Sequence, residues 1–245
     1  GAIIGPEVKI GAHTLIGPNA VLDGRITLGT DNRVFPGACL GLEPQDLKYR
    51  GAPTEVSIGN GNTIREFVTI NRATNEGEQT KIGDGNLLMA YCHLGHNCEL
   101  GNGIVMSNSI QVAGHVVIED RAVIGGCLGI HQFVQIGRLA MIGGMTRVER
   151  DVPPYCLAEG HPGRLRGLNR VGLRRSGLDN NQGGELRQLQ NIWTLLFRSE
   201  YVLEEGIQLA QAQKLMPAAN HLCDFVQKSI SKGRRGPMPT KLEVN

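Results

Sequence analysis

The sequence predicts a mainly β fold, a parallel β-helix of hexapeptide repeats, followed by a C-terminal α-helical domain. An aliphatic residue or methionine recurs every six residues, a small residue usually follows it, and the hydrophobic period becomes helical after Gly184. A six-residue unit is too short for a pair of helices, whereas a short strand with a corner fits it. Stacked units would bury the aliphatic register in one interior column.

The hexapeptide register runs from Ile4 to Val148. It is interrupted at 42–57 and 71–81 and resumes in phase both times. We expect both interruptions to be loops at corners of the β-helix, where functional residues are often found. If three units form one coil, residues eighteen apart stack, but the repeat alone determines neither that number nor the hand of the winding. The clearest register positions are Leu94, Leu100, Met106, Val112, Ile118, Ile124, Ile130, Ile136 and Ile142.

The chain after the repeat divides into two further parts. Pro153 and Pro154 cannot donate to a β-ladder, so the strand pattern is expected to end before them. We predict a β-helix domain at 1–152, an arginine-rich connector at 153–183 and a helical domain at 184–245. The arginines of the connector form either an anion site or a solvated surface. They are Arg164, Arg166, Arg170, Arg174 and Arg175.

The helical domain is predicted from a change of period. Helical spacing begins at Gly184 and continues over 202–215 and 217–231. Helices at this place would cap the open end of a solenoid. The apolar face of the first helix contains Leu186, Leu189, Ile192, Trp193, Leu196 and Phe197.

Composition excludes several classes of protein. The longest apolar runs are far below the ~20 residues of a membrane helix, and no leader pattern opens the chain, so a soluble cytoplasmic protein without stable membrane insertion is expected. A net charge of +2 argues against a general nucleic-acid binder. The six cysteines contain no CxxC pair, which argues against a disulfide framework. The repeat already runs at Gly1 without an initiator methionine, so we expect the native start to be missing.

A histidine column is the main candidate for chemistry. On eighteen-residue stacking, His96 lies beside Gly114 on the next coil and Gln132 on the one after. Asn97 lies beside His115. Histidine can act as a general base near neutral pH, and a glycine N–H can donate to a tetrahedral intermediate while letting substrate approach closely. These are the parts needed to transfer an acyl group to an alcohol.

Less specific interpretations remain open for the same residues. A histidine in a turn is often only solvated or hydrogen-bonded. The run HLGHNC offers His93, His96 and Cys98 as metal ligands, although structural zinc requires four converging ligands and these histidines lie in different repeat units. Asn97 also tolerates the left-handed backbone of a corner without any catalytic role.

Together with the register, six motifs resemble one known family. They are QDLKY at 45–49, HLGHNC at 93–98, AGHV at 113–116, IHQF at 130–133, DVPPY at 151–155 and GLNRVGLRRSG at 167–177. Over essentially its whole length the chain resembles UDP-N-acetylglucosamine 3-O-acyltransferase, the first enzyme of lipid A synthesis. The resemblance implies a left-handed β-helix and a homotrimer with active sites between subunits. It also implies an acyl carrier protein as donor of a 3-hydroxyacyl chain, UDP-N-acetylglucosamine as acceptor, and no metal or dissociable cofactor.

The resemblance also implies a role for individual residues. His96 resembles the general base, Gly114 the oxyanion-hole amide, and Gly144 the floor of a groove that measures the acyl chain. The positions that resemble contacts to the sugar, phosphate or nucleotide are Asp46, Lys48, His93, His115, His131, Gln132, Asn169 and Arg175.

Three positions depart from the family pattern. Asn97 stands where some members carry an acid after the base, which puts carboxylate support of the imidazole in doubt. Val171 and Ser176 stand where others carry a glutamate and an arginine that contact the nucleotide. Three rival functions remain: a related N-acyltransferase, which would add an N-terminal uridine-binding domain, a zinc carbonic-anhydrase-like protein, and a non-catalytic scaffold.

Overall fold

The computed structural model describes residues 1–178 and 184–240. Within them, successive short strands lie in three different sheets in turn, so that three repeat units complete one coil. His93 pairs in parallel with Gln111 of the next coil, which confirms stacking at eighteen residues. The repeat is therefore a parallel β-helix, and its coil is triangular because each sheet forms one side.

The strands are numbered in chain order and grouped here by sheet. Sheet one contains β1 (Ile3–Ile4), β4 (Val21–Leu22), β7 (Cys39–Leu42), β10 (Thr69–Asn71), β13 (His93–Leu94), β16 (Ile110–Val112) and β19 (Leu128–Ile130). Sheet two contains β2 (Lys9–Ile10), β5 (Arg25–Leu28), β8 (Glu55–Ile58), β11 (Gln79–Ile82), β14 (Glu99–Leu100), β17 (Val117–Ile118) and β20 (Gln135–Ile136). Sheet three contains β3 (Leu15–Ile16), β6 (Arg33–Val34), β9 (Thr63–Ile64), β12 (Leu87–Leu88), β15 (Val105–Met106), β18 (Val123–Ile124), β21 (Met141–Ile142), β22 (Cys156–Glu159) and β23 (Arg164–Leu168).

The predicted aliphatic register forms the interior of the coil. Leu94, Met106 and Val112 are fully buried, as the alternation of side chains in a strand requires when one face points inward. Ile4 and Ile10, in the first described coil, are less buried, at 44% and 40% exposed. Removal of the register from water is the main stabilising contribution to the stack.

A ladder of buried asparagines runs along one edge of the coil. The side-chain oxygen of Asn32 accepts from the backbone N–H of Asn62, and that of Asn62 accepts from the backbone N–H of Asn86. Asn86 continues the ladder to the backbone N–H of Ile104. Each amide satisfies a backbone donor that a corner would otherwise leave unpaired and buried, which links neighbouring coils.

Three corners join the sheets. Corner one, between sheets one and two, contains His96 and carries both long insertions, 43–54 and 72–78. Corner two, between sheets two and three, contains Leu139. Corner three, between sheets three and one, contains Gly126. Both predicted interruptions are therefore confirmed as corner loops, and both leave the coil at the corner that holds His96.

The predicted connector contains more regular structure than its sequence indicates. Strand β22 continues sheet three in parallel, and β23 returns antiparallel to it. A short helix, α1 (Arg170–Ser176), follows, while 179–183 lie outside the described residues. The strands escaped the sequence analysis because the two prolines before them end the hexapeptide period. The division into three domains remains a prediction.

The helical period is confirmed by three further helices. They are α2 (Glu185–Phe197), α3 (Leu203–Gln211) and α4 (Pro217–Ser229). Leu189, Ile192 and Leu196 of α2 are buried, as the predicted apolar face requires. None of the helices in the described ranges is both long and apolar enough to cross a bilayer.

Polar contacts of two residues, Asp151 and His221, attach the C-terminal region to the β-helix. Buried Asp151 binds the Arg234 guanidinium at 2.8 Å and accepts a hydrogen bond from Ser229 of α4 at 2.6 Å. On α4, His221 contacts the Tyr155 hydroxyl and the Glu119 carboxylate, both at 3.0 Å. The proline-rich end of the repeat is therefore the docking point of the C-terminal helices.

Candidate active site

Corner one gathers His96 and residues of both corner loops. Thr74 of the second loop places its hydroxyl oxygen 2.9 Å from His96 Nδ1. Asp46 of the first loop has a carboxylate oxygen 3.8 Å from His96 Nε2. The Thr74 hydroxyl lies 3.4 Å from the same carboxylate oxygen and donates to it. The two loops therefore meet over one imidazole, as the phase of the repeat allowed but did not require.

The His96 ring is held from its Nδ1 side. The side-chain oxygen of Asn97 lies 2.9 Å from Nδ1 and can only accept, so Nδ1 carries the proton. Asn97 adopts the left-handed backbone that was expected of it, with φ of 60°. Its side chain nevertheless contacts the candidate base, so the corner geometry and the contact to the base coexist at this position.

Gly114 lies directly against the His96 ring. A Cβ atom built on Gly114 would lie 2.5 Å from His96 Nε2, which is inside van der Waals contact. The predicted stacking of these residues is thus confirmed, and glycine is required there because any side chain would displace the ring. The Nε2 atom faces a strip of bare backbone on one side and Asp46 on another.

The Asp46 carboxylate is fixed in its loop. The backbone N–H of Lys48 donates to Asp46 at 2.9 Å, and this contact holds the pKa of the carboxyl below its usual range. Burial opposes that shift, whereas positive charge on His96 or Lys48 reinforces it. Asp46 is therefore an ionised acceptor next to the base, suited to hold a hydroxyl group of a substrate.

Two further histidines of the predicted set flank His96. The His115 ring meets the His96 ring edge-on at 5.1 Å and stacks on Phe133 at 4.8 Å. His93 Nδ1 lies 2.7 Å from the Thr69 hydroxyl. Burial lowers the pKa of both His93 and His115, and a proton on His96 acts in the same direction. Their rings thus favour the neutral form, which offers a substrate both a donor and an acceptor.

His131 and Gln132 lie one coil further along. His131 shares a cavity of about 440 Å³ on the outer face of sheet one with His93. It also lines a second cavity, of about 250 Å³, together with Gln132 and Arg234. The structure therefore places both residues beside the cluster at corner one, without a direct contact to His96 among the described residues.

Metal ligation at HLGHNC meets a geometric obstacle. Cys98 is fully buried, and its thiol donates to the Ala113 carbonyl oxygen inside the coil. Burial raises the pKa of Cys98 to about 12, which disfavours the thiolate that binds metals. Among the described residues, no group of three or more His, Cys, Asp or Glu side chains is arranged to hold a metal ion.

Comparison with known proteins decides the family. The chain is 51% identical over 222 residues to an acyl-[acyl-carrier-protein]–UDP-N-acetylglucosamine O-acyltransferase of Synechocystis sp., covering 90% of this chain and 79% of that protein. It is similar in structure to the UDP-N-acetylglucosamine acyltransferase from Campylobacter jejuni, with a TM-score of 0.86 and 35% identity over 98% and 96% of the two chains. The chain belongs to this acyltransferase family.

Family membership defines the fold and the C-terminal region. The chain is a left-handed parallel β-helix with C-terminal helices. A family description named UDP-N-acetylglucosamine O-acyltransferase, domain 2, matches residues 151–238. This match begins at Asp151, the residue that anchors the helices to the coil through Arg234.

The two residues with expected nucleotide contacts lie at corner two of this acyltransferase. Asn169 donates to the Leu139 carbonyl oxygen and accepts from the Gly172 backbone N–H at the start of α1. It is buried, and its amide is used within the chain as a helix cap. Arg175 lines a cavity of about 660 Å³ with Arg121 and Asn169. Sequence analysis alone did not reveal the capping role, because the motif spans an unrecognised helix start.

Gly144 lies at corner three. A Cβ built on it would lie 3.4 Å from the carbonyl oxygen of Gly126, so the two glycines stack as their spacing predicts. Cys127 and Met145, which follow them in the chain, are exposed. The edge is therefore a strip of bare backbone bordered by soft apolar side chains.

Sequence analysis missed Thr74 and Glu78. Both belong to the second corner loop, where the hexapeptide period gives no information on side-chain direction. Thr74 contacts His96, and Glu78 accepts from the Asn97 amide at 2.8 Å. The position of the interruption was a signal that could have found them. The loop starts at the end of β10, and β10 pairs with β13, the strand that contains His93 and precedes His96.

Proposed function

We propose that this acyltransferase moves a fatty acyl group from acyl carrier protein to the 3-hydroxyl of UDP-N-acetylglucosamine, with His96 as the general base. This is the acylation that begins lipid A synthesis. The observation that carries the proposal is the contact of His96 Nδ1 with the Asn97 oxygen at 2.9 Å. It leaves the Nε2 lone pair free at the surface, between Asp46 and Gly114, where an alcohol can be deprotonated.

The proposed reaction uses one proton carrier in two steps. His96 Nε2 takes the proton of the 3-hydroxyl while the sugar oxygen attacks the thioester carbonyl carbon. The Gly114 N–H donates to the oxyanion of the tetrahedral intermediate. When the intermediate collapses, the carbon–sulfur bond breaks, and His96 returns its proton to the leaving thiolate. The ester and the free carrier thiol are the products, and no metal or cofactor takes part.

The other positions of the predicted set would hold the substrates. Asp46 would accept from a sugar hydroxyl, and Lys48 would attract the phosphates. His93, His115 and His131, with Gln132, would line the path of the sugar and the acyl thioester. Because acyl carrier protein is a soluble donor, the proposal includes a cytoplasmic location.

A homotrimer is part of the proposal. His96 lies at corner one, Arg175 projects near corner two, and Gly144 lies at corner three. Three corners of one triangular β-helix cannot contact a single substrate at the same time. Neighbouring β-helices around a threefold axis can bring different corners together. Measurement of the molar mass in solution checks this, and a monomer that is fully active would refute it.

The direct test is incubation with UDP-N-acetylglucosamine and a 3-hydroxyacylated carrier protein. We expect an ester on the sugar 3-oxygen, identified by mass spectrometry and by the shift of the H3 proton. An amide product would favour the related N-acyltransferase. Absence of any transfer would refute the proposed function.

Replacement of Gly114 by alanine should abolish most activity without unfolding the protein. The added methyl group would overlap with His96 Nε2 and turn the ring away from the substrate. A misplaced base costs up to ~10²-fold in rate. Ala12→Ser, at an exposed position in the first coil, is the control. Full activity of Gly114→Ala would show that the ring tolerates displacement.

Replacement of Arg175 by alanine should raise the KM for the nucleotide sugar. A charge-assisted contact to phosphate contributes on the order of 1–3 kcal/mol, so the expected increase is roughly 5- to 150-fold. The control is Arg174→Ala, on the same helix and exposed, but outside the cavity lining within the described chain. An unchanged KM would mean that the Arg175 side chain faces solvent or contacts the carrier protein instead of the nucleotide.

A further inference from the structure

We propose that Glu78 is a positioning residue for catalysis, which sets the orientation of the Asn97 amide and thereby keeps the proton of neutral His96 on Nδ1. The inference rests on the proposed function of His96 as the base. It assigns a role to a carboxylate that does not contact the ring and lies in an irregular loop nineteen residues before Asn97.

Glu78 is itself held firmly. Its carboxylate accepts from the Asn75 backbone N–H at 3.1 Å and from the Asn75 side-chain amide at 3.1 Å and 3.2 Å. Its Oε2 atom accepts from Asn97 Nδ2 at 2.8 Å. Burial alone would raise the pKa of Glu78, but the hydrogen bonds from Asn97 and Asn75 outweigh it and hold the pKa below its usual range. The group is therefore an ionised acceptor at neutral pH.

An ionised carboxylate decides which end of an amide faces it. Glu78 can only accept, so it requires the NH₂ end of Asn97. The oxygen end must then point the opposite way, where it meets His96 Nδ1 at 2.9 Å and the Thr74 backbone N–H at 3.2 Å. An oxygen at that place requires Nδ1 to donate, which leaves the Nε2 lone pair for the substrate.

The hydrogen bonds from Glu78 through Asn97 to His96 also affect the charged form of the ring. A proton accepted at Nε2 makes the ring a cation. The negative charge of Glu78 polarises the Asn97 amide, whose oxygen then stabilises that cation at Nδ1. Hydrogen bonds in series strengthen one another in a partly buried site. Glu78 is therefore expected to favour the protonated ring during the reaction as well as the correct tautomer before it.

The first experiment observes the ring directly. In ¹⁵N-histidine-labelled protein at a pH where the ring is neutral, the nitrogens of His96 should report one tautomer, with the proton on Nδ1. In Glu78→Ala the signals should shift toward a mixture of the two tautomers, because the Asn97 amide loses its acceptor. An unchanged single Nδ1–H tautomer in Glu78→Ala would overturn the proposal.

The second experiment measures kinetics in the same variants. Glu78→Ala should lower kcat by about 10-fold, within the range expected for coupled neighbours, and should leave the KM for the nucleotide sugar unchanged. Glu78→Gln keeps an oxygen that can accept from Asn97 but loses the charge, so its kcat should lie between that of wild type and that of Glu78→Ala. Glu76→Gln, exposed on the same loop, is the matched control. A change in KM alone would contradict a positioning role.

The third experiment moves the carboxylate from position 78 to position 97, next to His96. Asn97→Asp alone would place two carboxylates 2.8 Å apart and should lower kcat by more than Glu78→Ala does. Combining Asn97→Asp with Glu78→Gln lets the introduced glutamine donate to the introduced aspartate, which can accept from Nδ1 directly. We expect kcat of the double variant to exceed that of Asn97→Asp by about 10-fold.

The coupling would be overturned if the loss of kcat in the double variant were at least the product of the losses in the two single variants.

These experiments also separate this inference from the proposed function. If wild-type protein transfers no acyl group, the function fails, while the tautomer of His96 in Glu78→Ala still decides whether Glu78 orients the ring. If transfer occurs and His96→Ala loses it, but both Glu78 variants behave as wild type, only the inference fails.

Discussion

Replacement of His96 by alanine should lower kcat by ~10²–10⁴-fold, the usual contribution of a general base. The physical reason is basicity, since an imidazole can take a hydroxyl proton near neutral pH. The neighbouring Asp46 carboxylate is too weak a base to replace it, because the Lys48 N–H holds the pKa of Asp46 below its usual range. The measurement is steady-state turnover of UDP-N-acetylglucosamine with an acylated carrier protein, together with the thermal unfolding midpoint.

The histidine variant has a matched control elsewhere in the coil. His13 is exposed and has φ of 59°, a backbone conformation that asparagine tolerates, so His13→Asn should be fully active. The ring of His96 lies at the surface of corner one, outside the aliphatic interior, so its loss should leave the unfolding midpoint nearly unchanged. Near-normal turnover of His96→Ala would refute its assignment as the base.

Replacement of Gly144 by methionine should change the acyl donor that the enzyme prefers. We propose that Gly144 and Gly126 form the floor of a groove for a long 3-hydroxyacyl chain. A Cβ on Gly144 would lie 3.4 Å from Gly126, an ordinary contact, so a side chain fits without disturbing the coil and would occupy the groove. Each buried methylene contributes ~0.8 kcal/mol, so loss of room for four carbons costs about 3 kcal/mol, or roughly 10²-fold in preference.

Competition between donors of different length in one reaction measures this preference. Gly144→Met should favour shorter donors, with the total turnover of short donors retained, and Gly144→Ala should show a smaller change in the same direction. The graded pair separates a filled groove from a general loss of activity. An unaltered product distribution in Gly144→Met would refute the groove.

Much of the candidate site was predictable because it belongs to the repeat. Once the period is six and three units complete a coil, Gly114 must lie beside His96, and Gly144 must lie beside Gly126. The bare backbone at these positions follows directly from glycine in the sequence. The interior was predictable for the same reason, since a buried register such as Leu94 and Met106 has to be apolar.

The unpredicted parts of the site come from irregular segments. Thr74 and Glu78 lie in a loop whose path depends on contacts with the first loop and with Asn97. The nucleotide contact of Asn169 stays a prediction, and the structure adds that its amide caps α1 and contacts Leu139. Local sequence cannot decide between a ligand and a backbone partner for an asparagine, because both satisfy the same donor and acceptor.

The sequence by itself determined the period of six and the buried register, and it aligned the histidine column on the assumption of three units per coil, which the structure confirmed. These are properties of a one-dimensional repeat, in which each unit contacts mainly its neighbours and the spacing specifies the contact. Only the tertiary structure decided how the insertions fold back onto that corner, which end of the Asn97 amide faces His96, and where the C-terminal helices dock through Asp151. These features depend on hydrogen bonds between residues whose separation in the sequence follows no repeat. The donor and acceptor of each such bond are defined only once both residues are in place.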